Sequence, residues 1–291
     1  MNGSLHTAVP HTLPTPASGL PLWSAQVAAI FRIEIFKAMF SKRALSCYGL
    51  ATMPMTIFLI AAYESWYHDE PAFQNIEEAR RVFGYVFSTL ILGAVIYLGN
   101  AAIFTTLFRG EILDRSFHYY LLTPVRREVL LAGKFLAGLA AAVLIFSIST
   151  LVCMLLSYTQ FGTEYLLTDI TSGIFFEQLG LYLGITVLAC LGYGSVFMAA
   201  GLLFKNPLIP VVIIAGWELI HFIVPPALKV FSIVYYLKGL LPIPLDEGPL
   251  AVIVAPPPVW VSVFGMFALC LAMLACSAWL LKNLEIRYTD E

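Results

Sequence analysis

The chain has 291 residues, of which 60% are hydrophobic and only 12% charged, with a formal net charge of -2. A soluble domain carries roughly 25% charged residues, so the composition excludes a soluble globular protein and predicts one all-α polytopic membrane domain. Charge this close to zero singles out no partner and gives no sign of nucleic acid. The five cysteines all lie in or beside apolar runs, without metal spacing or a disulfide framework, and read as packing residues.

In chain order, residues 1–22 are rich in Pro, Thr and Ser, lack the basic start and apolar core of a signal peptide, and read as a disordered tail. The membrane domain is expected over residues 23–291. It opens on QVAAIFRIEIFKAMFSKRAL, which places Val27, Phe31, Ile35 and Met39 at near-helical spacing, with Arg32, Lys37, Lys42 and Arg43 largely elsewhere around the helix. This predicts an amphipathic interfacial helix lying on the membrane. Six apolar runs then reach the ~20 residues that a ~30 Å hydrocarbon core requires. They are placed at Leu45 to Tyr63, Val82 to Phe108, Val129 to Tyr158, Gln178 to Phe204, Leu208 to Val224 and Val259 to Leu281.

Lysine and arginine set the orientation, because they are retained on the cytoplasmic side. Of the 16, only Arg80, Arg81, Lys229 and Lys238 fall on one side, so both termini, the loop after the second span and the Lys205-Asn206-Pro207 turn are expected to be cytoplasmic. Trp66, Trp260 and Trp279 fall at predicted span ends, where amphipathic rings are favoured.

Between the second and third spans lies RGEILDRSFHYYLLTPVRREVLLAGK. Ile112, Leu113, Phe117, Tyr120 and Leu121 form one stripe, with Asp114, Arg115, His118 and Tyr119 projecting differently, so a short amphipathic helix is predicted from Glu111 to Leu122. Thr123 followed by Pro124 suits the cap and first position of a new helix, and the third span is expected to start there. Taken alone, this pattern also fits a plain positive-inside hairpin.

The layout, with the early Glu111, the turn Leu121-Leu122-Thr123-Pro124-Val125, then Arg126-Arg127 and Gly133-Lys134, resembles the permease subunit of type-2 ABC exporters. One departure is Asp114-Arg115-Ser116-Phe117, where such permeases commonly have a small Gly-Thr-type step. The resemblance implies a cytoplasmic coupling helix that docks on a separate ATPase, with Glu111, Asp114, Arg115, His118 and Arg126 in the docking segment. It further implies a second permease subunit, homo- or heterodimeric, in a bacterial-type inner membrane. No cofactor is expected in this chain, since Gly133-Lys134 is followed by Phe135 and lacks the preceding glycine of a phosphate loop; ATP belongs to the partner.

In the fifth run Glu218 falls 11 residues beyond Pro207, about 16 Å along a helix and near mid-membrane. His221 follows at a spacing that lets the two share a face. Either Trp217, Glu218 and His221 line a substrate path, or Glu218 is protonated or bonded to His221 and a neighbouring helix and holds the bundle together. Pro225-Pro226 should end or kink this span, leaving ALKVFSIVYYLKGL re-entrant or on the outer surface. Gly180, Gly184, Ala268, Ala272 and Cys276 would permit close helix approach. Glu77-Glu78-Ala79-Arg80-Arg81 reads as solvated surface charge, because the arginine of a prenyl-protease signature would fall at Val82. A proton-coupled secondary transporter using Glu218 and His221 is the competing function; without matching halves, the sequence supports it less. A membrane-embedded enzyme comes third, since no zinc motif or nucleophile elbow is present.

Overall fold

The computed structural model describes residues 19–68, 75–113, 125–159, 161, 163–220, 223–242 and 257–283. Every regular element among them is helical: α1 (Leu20–Phe40), α2 (Lys42–His68), α3 (Ile76–Val86), a π-helical stretch (Phe87–Ile96), α4 (Tyr97–Leu113), α5 (Arg127–Tyr158), α6 (Thr163–Ser172), α7 (Ile174–Leu203), α8 (Leu208–Ile220), α9 (Pro226–Lys229), α10 (Ile233–Lys238) and α11 (Val259–Lys282). Five helices are long and apolar enough to cross a membrane: Ala44–His68, Ile76–Phe108, Arg127–Tyr158, Ile174–Leu203 and Val259–Lys282. They coincide with five of the six predicted spans. On α11 the exposed Trp260 and Trp279 stand 19 residues apart, about 28 Å along the helix, which matches the hydrocarbon thickness.

The fifth predicted run behaves differently. α8 is a 13-residue helix, about 20 Å long and too short to cross by itself. It ends before Pro225, whose extended backbone leads into the four-residue α9. α10 then lies inside the bundle. Where a Cβ on Gly192 would project it would meet Ile233 at 3.3 Å and Met266 at 2.6 Å, while the same atom on Gly239 would meet Pro257 O at 2.6 Å. The N-terminal end of α10 therefore reaches the middle of α7, and its other end returns to the first turn of α11. α10 is thus held between α7 and α11.

The start of α1 follows from local chemistry. Gly19 supplies a positive φ of 76° at its N-cap, and Pro21 occupies the first turn, where no N–H is needed. Val27, Phe31, Ile35 and Met39 are half-buried along α5, so the predicted stripe packs on protein, while Ile33, Phe36 and Phe40 remain exposed on the other side. The most buried residue of α1 is a carboxylate, Glu34. The expected tail, residues 1–22, falls largely outside the described residues.

Three further expectations need correction in whole or in part. Glu111 to Leu113 belong to α4, which continues from the second span, and the rest of the helix expected from Glu111 to Leu122 lies outside the described residues. α5 starts at Arg127 behind an extended Arg126, with φ -67° and ψ 141°, and not at Thr123-Pro124, which lie outside the described residues. Arg80 is not solvated surface charge. Asn75 Oδ1 accepts from Glu78 N at 2.8 Å to cap α3, Glu77 and Glu78 occupy its first turn, and Arg80 turns inward onto Asp169. That aspartate sits on α6 and also accepts from Tyr158 Oη at 2.8 Å. Gly180 and Gly184 have open space where a Cβ would project, so they mediate no close contact among the described residues. The Lys205-Asn206-Pro207 turn is present, with Asn206 Oδ1 accepting from Leu208 N at 3.0 Å.

Candidate functional site: two charged clusters in an apolar bundle

The first cluster forms where α1, α4, α5 and α11 meet, at the Lys- and Arg-rich end of the bundle. Lys134 is fully buried. Its Nζ lies 3.1 Å from Glu34 Oε1, donates to Leu107 O at 3.4 Å, and stands 5.5 Å from the centre of the Phe108 ring. Lys37 reaches the same Glu34 oxygen at 3.1 Å. An ammonium taken wholly out of water is costly unless paired and hydrogen-bonded, and here both conditions are met. The preceding residue explains how α1 comes so close. A Cβ on Gly133 would lie 2.7 Å from Ile30 Cγ2 and 3.3 Å from Val27 O. Gly133→Ala is therefore expected to destabilise by about 1–3 kcal/mol, as overpacking does, and thermal unfolding in detergent checks it.

Burial alone pushes the Glu34 carboxyl up. Lys134 outweighs that through its charge and hydrogen bond, with Lys37 adding to it, so the group is held below the ordinary carboxylate range. A depressed carboxyl contributes stability that is complete above its unfolded pKa and is lost as pH falls through its folded value. Docking of α1 should thus be constant from neutral pH to about pH 5 and weaken only below about pH 4. Limited proteolysis near Ser41 as a function of pH measures this, and Glu34→Gln should remove the dependence.

Next to this pair, α5 reaches two other helices. The Arg126 guanidinium sits 4.5 Å over the Trp23 ring of α1. Arg127 Nη1 donates to Leu281 O at 2.6 Å and to Lys282 O at 2.8 Å, the last carbonyls of α11, which have no partner within their own helix. Lys282 Nζ lies 2.7 Å from Glu128 Oε1. Of the residues assigned to the docking segment, the structure thus describes Arg126 in full and only the backbone of Glu111; Asp114, Arg115 and His118 lie outside the described residues.

The second cluster surrounds Glu218, at the end of α8. Glu218 Oε2 accepts from Ser232 Oγ at 2.5 Å and from Val234 N at 3.3 Å, and Oε1 accepts from Ile233 N at 2.9 Å. Ser232 is also the N-cap of α10, accepting from Tyr235 N at 3.3 Å. A buried helix N-terminus leaves N–H groups without partners and carries a partial positive charge, while a carboxylate in the bilayer needs donors. Each meets the other's need. Trp217 lies beside Glu218 on α8 and is partly buried, and His221 lies outside the described residues. α8 is further tied to α4 by Tyr97 Oη, which donates to Val211 O at 2.5 Å.

Sequence reasoning missed Glu34 and Lys134 as partners, although both were legible as isolated charges. Glu34 lies in register with Val27 and Phe31 on the packed stripe, and Lys134 interrupts the run VLLAGKFLAGLAAAV. Two opposite charges, each alone in an apolar helix face, are a signal for a buried pair. Ser232 as the hydroxyl for Glu218 had no such signal, because the α8–α10 contact depends on a turn through Pro225-Pro226.

Among the described residues, five helices long and apolar enough to cross a membrane, several of them joined through buried charged groups, make this a multi-pass membrane protein. The profile of the ABC-2 family transporter proteins matches residues 30–217, and the chain belongs to that family. Comparison with curated proteins and with solved structures gave no match.

Proposed function

We propose that this chain is the membrane-spanning permease subunit of an ATP-driven exporter, working with a separate cytoplasmic ATPase and a second permease subunit. Membership of the ABC-2 family carries the reading. The chain crosses six times with both termini in the cytoplasm; its fifth passage is the broken segment α8 to α10. The Lys- and Arg-rich end then faces the ATPase in a bacterial-type inner membrane. Glu111, Asp114, Arg115, His118 and Arg126 belong to the docking segment, while Trp217, Glu218 and His221 flank the path. Within it Glu218 acts by holding α10 in place. The chain itself performs no chemistry, and ATP is held by the partner.

A photocrosslinker at position 115 is expected to capture a protein identified by mass spectrometry as an ATP-binding-cassette ATPase, whose hydrolysis rate rises when the permease is present. Transport by the purified chain alone, driven by an imposed pH gradient with no ATPase, overturns the reading and returns the proton-coupled alternative.

A further inference from the structure

The charges that open α5, even where they are partly exposed, are each tied to another helix. Within nine residues, Arg126 to Lys134, about 12 Å of helix, the chain contacts Trp23 and Glu34 on α1, Leu107 and Phe108 on α4, and the last turn of α11. These contacts differ in kind from ordinary helix packing. A guanidinium bonded to two carbonyls of one helix end fixes angle as well as distance, because charge-assisted hydrogen bonds are short and directional. Glu128, the next residue, grips Lys282 and adds a second attachment to the same helix end. The buried Lys134–Glu34 pair cannot slide without giving up a close ionic contact at a fully buried ammonium. Helix α4, which enters the 114–124 segment, and α5, which leaves it, are joined by the Lys134–Leu107 bond.

We propose that Arg126 and the first turns of α5, through Lys134, are a branching node that passes displacement of the 114–124 segment to α1 and to the last helix, with Arg127 and Lys134 as its positioning residues. The inference rests on the ATPase-driven reading above. It adds that the last span is moved from its cytoplasmic end, through Arg127 and Glu128, and not only through lateral packing. α1 travels with α5 as one body.

The test uses the permease assembled with its ATPase in lipid nanodiscs, with the exposed Cys276 replaced by Ser. Nitroxide labels at the exposed positions Leu136 and Trp279 read α5 against α11; labels at Leu45 and Trp279 read α11 against α2. Distances are taken without nucleotide and after vanadate trapping with ATP. In the otherwise unaltered chain the first distance should stay constant while the second changes. Arg127→Gln should abolish the change in the second distance at an unchanged rate of ATP hydrolysis, and Arg127→Lys should restore part of it. Glu128→Gln, at an exposed site, should diminish it and serves as the deciding variant should Arg127→Gln not fold. Equal nucleotide-dependent changes in the variants and the unaltered chain overturn the node. So does a first distance that changes with nucleotide in the unaltered chain. Should no ATPase assemble with the unaltered chain, the functional reading itself fails; assembly with hydrolysis but unaffected variants removes the node alone.

Discussion

Replacing Glu34 with Leu is expected to destabilise the protein by about 3–5 kcal/mol, the range for breaking a buried pair by deleting one partner. The reason is the partner left behind. Lys134 would keep the Leu107 carbonyl at 3.4 Å and the Phe108 ring but lose the Glu34 carboxylate, at a position with no exposure to water. The double variant Glu34→Leu with Lys134→Met should recover most of the loss, since a well-packed apolar pair of similar volume is often as stable as the ion pair it replaces. Thermal unfolding of the four proteins in detergent completes the double-variant cycle. Equal loss in the single and double variants would assign the cost to packing and not to the charge left behind. A second consequence separates the two helices. In Glu34→Leu, α1 should become accessible to protease near Ser41 before the spans unfold, because the pair is the deepest attachment of α1.

The second large effect is expected at Glu218. Glu218→Ala removes the acceptor of three donors, Ser232 Oγ and the backbone N–H groups of Ile233 and Val234. Each donor left buried without a partner costs about 1–3 kcal/mol. Ser232 Oγ can rotate to another acceptor, so the two N–H groups set the expected total, about 2–6 kcal/mol. Glu218→Gln retains one acceptor oxygen and should lose about half as much. The local readout is hydrogen exchange over residues 233–238, which should rise sharply in Glu218→Ala and only slightly in Glu218→Gln, while exchange in the middle of α5 stays unchanged. An unaltered exchange pattern over α10 would show that the helix is held by its packing against Gly192 and Gly265 instead.

Much of the fold was legible because one force dominates it. Apolar runs of span length became helices at the predicted places, and their ends followed signals of short range, such as the Asn206 turn and the prolines ahead of Val259. The failures share a cause as well. Thr123-Pro124 is a good local start signal, yet α5 begins at Arg127, where Arg127 and Glu128 are fixed by the end of α11, more than 150 residues away in sequence. Arg80 lies in a run of charges that reads as surface until Asp169 arrives from α6. Glu218 was identified as costly and in need of a partner, which is correct physics, but its donors lie beyond two prolines whose turn no periodicity describes. Sequence reasoning found which charges were out of place and could not find what answered them.

The two ends of α5 carry a further consequence. Lys134 and Tyr158, the residues through which this helix joins the Glu34 pair and the Arg80–Asp169 pair, stand 24 residues apart, about 36 Å along the axis. Hydrocarbon is about 30 Å thick, so a bilayer centred between them would leave both ionic groups just beyond its two boundaries. A bilayer thicker by several ångströms draws one cluster into the acyl region, where it is least tolerated, and a thinner one tilts the helix and strains the attachments at both ends. Lipid chain length would then bear on the same contacts that hold α1 and the last span in place.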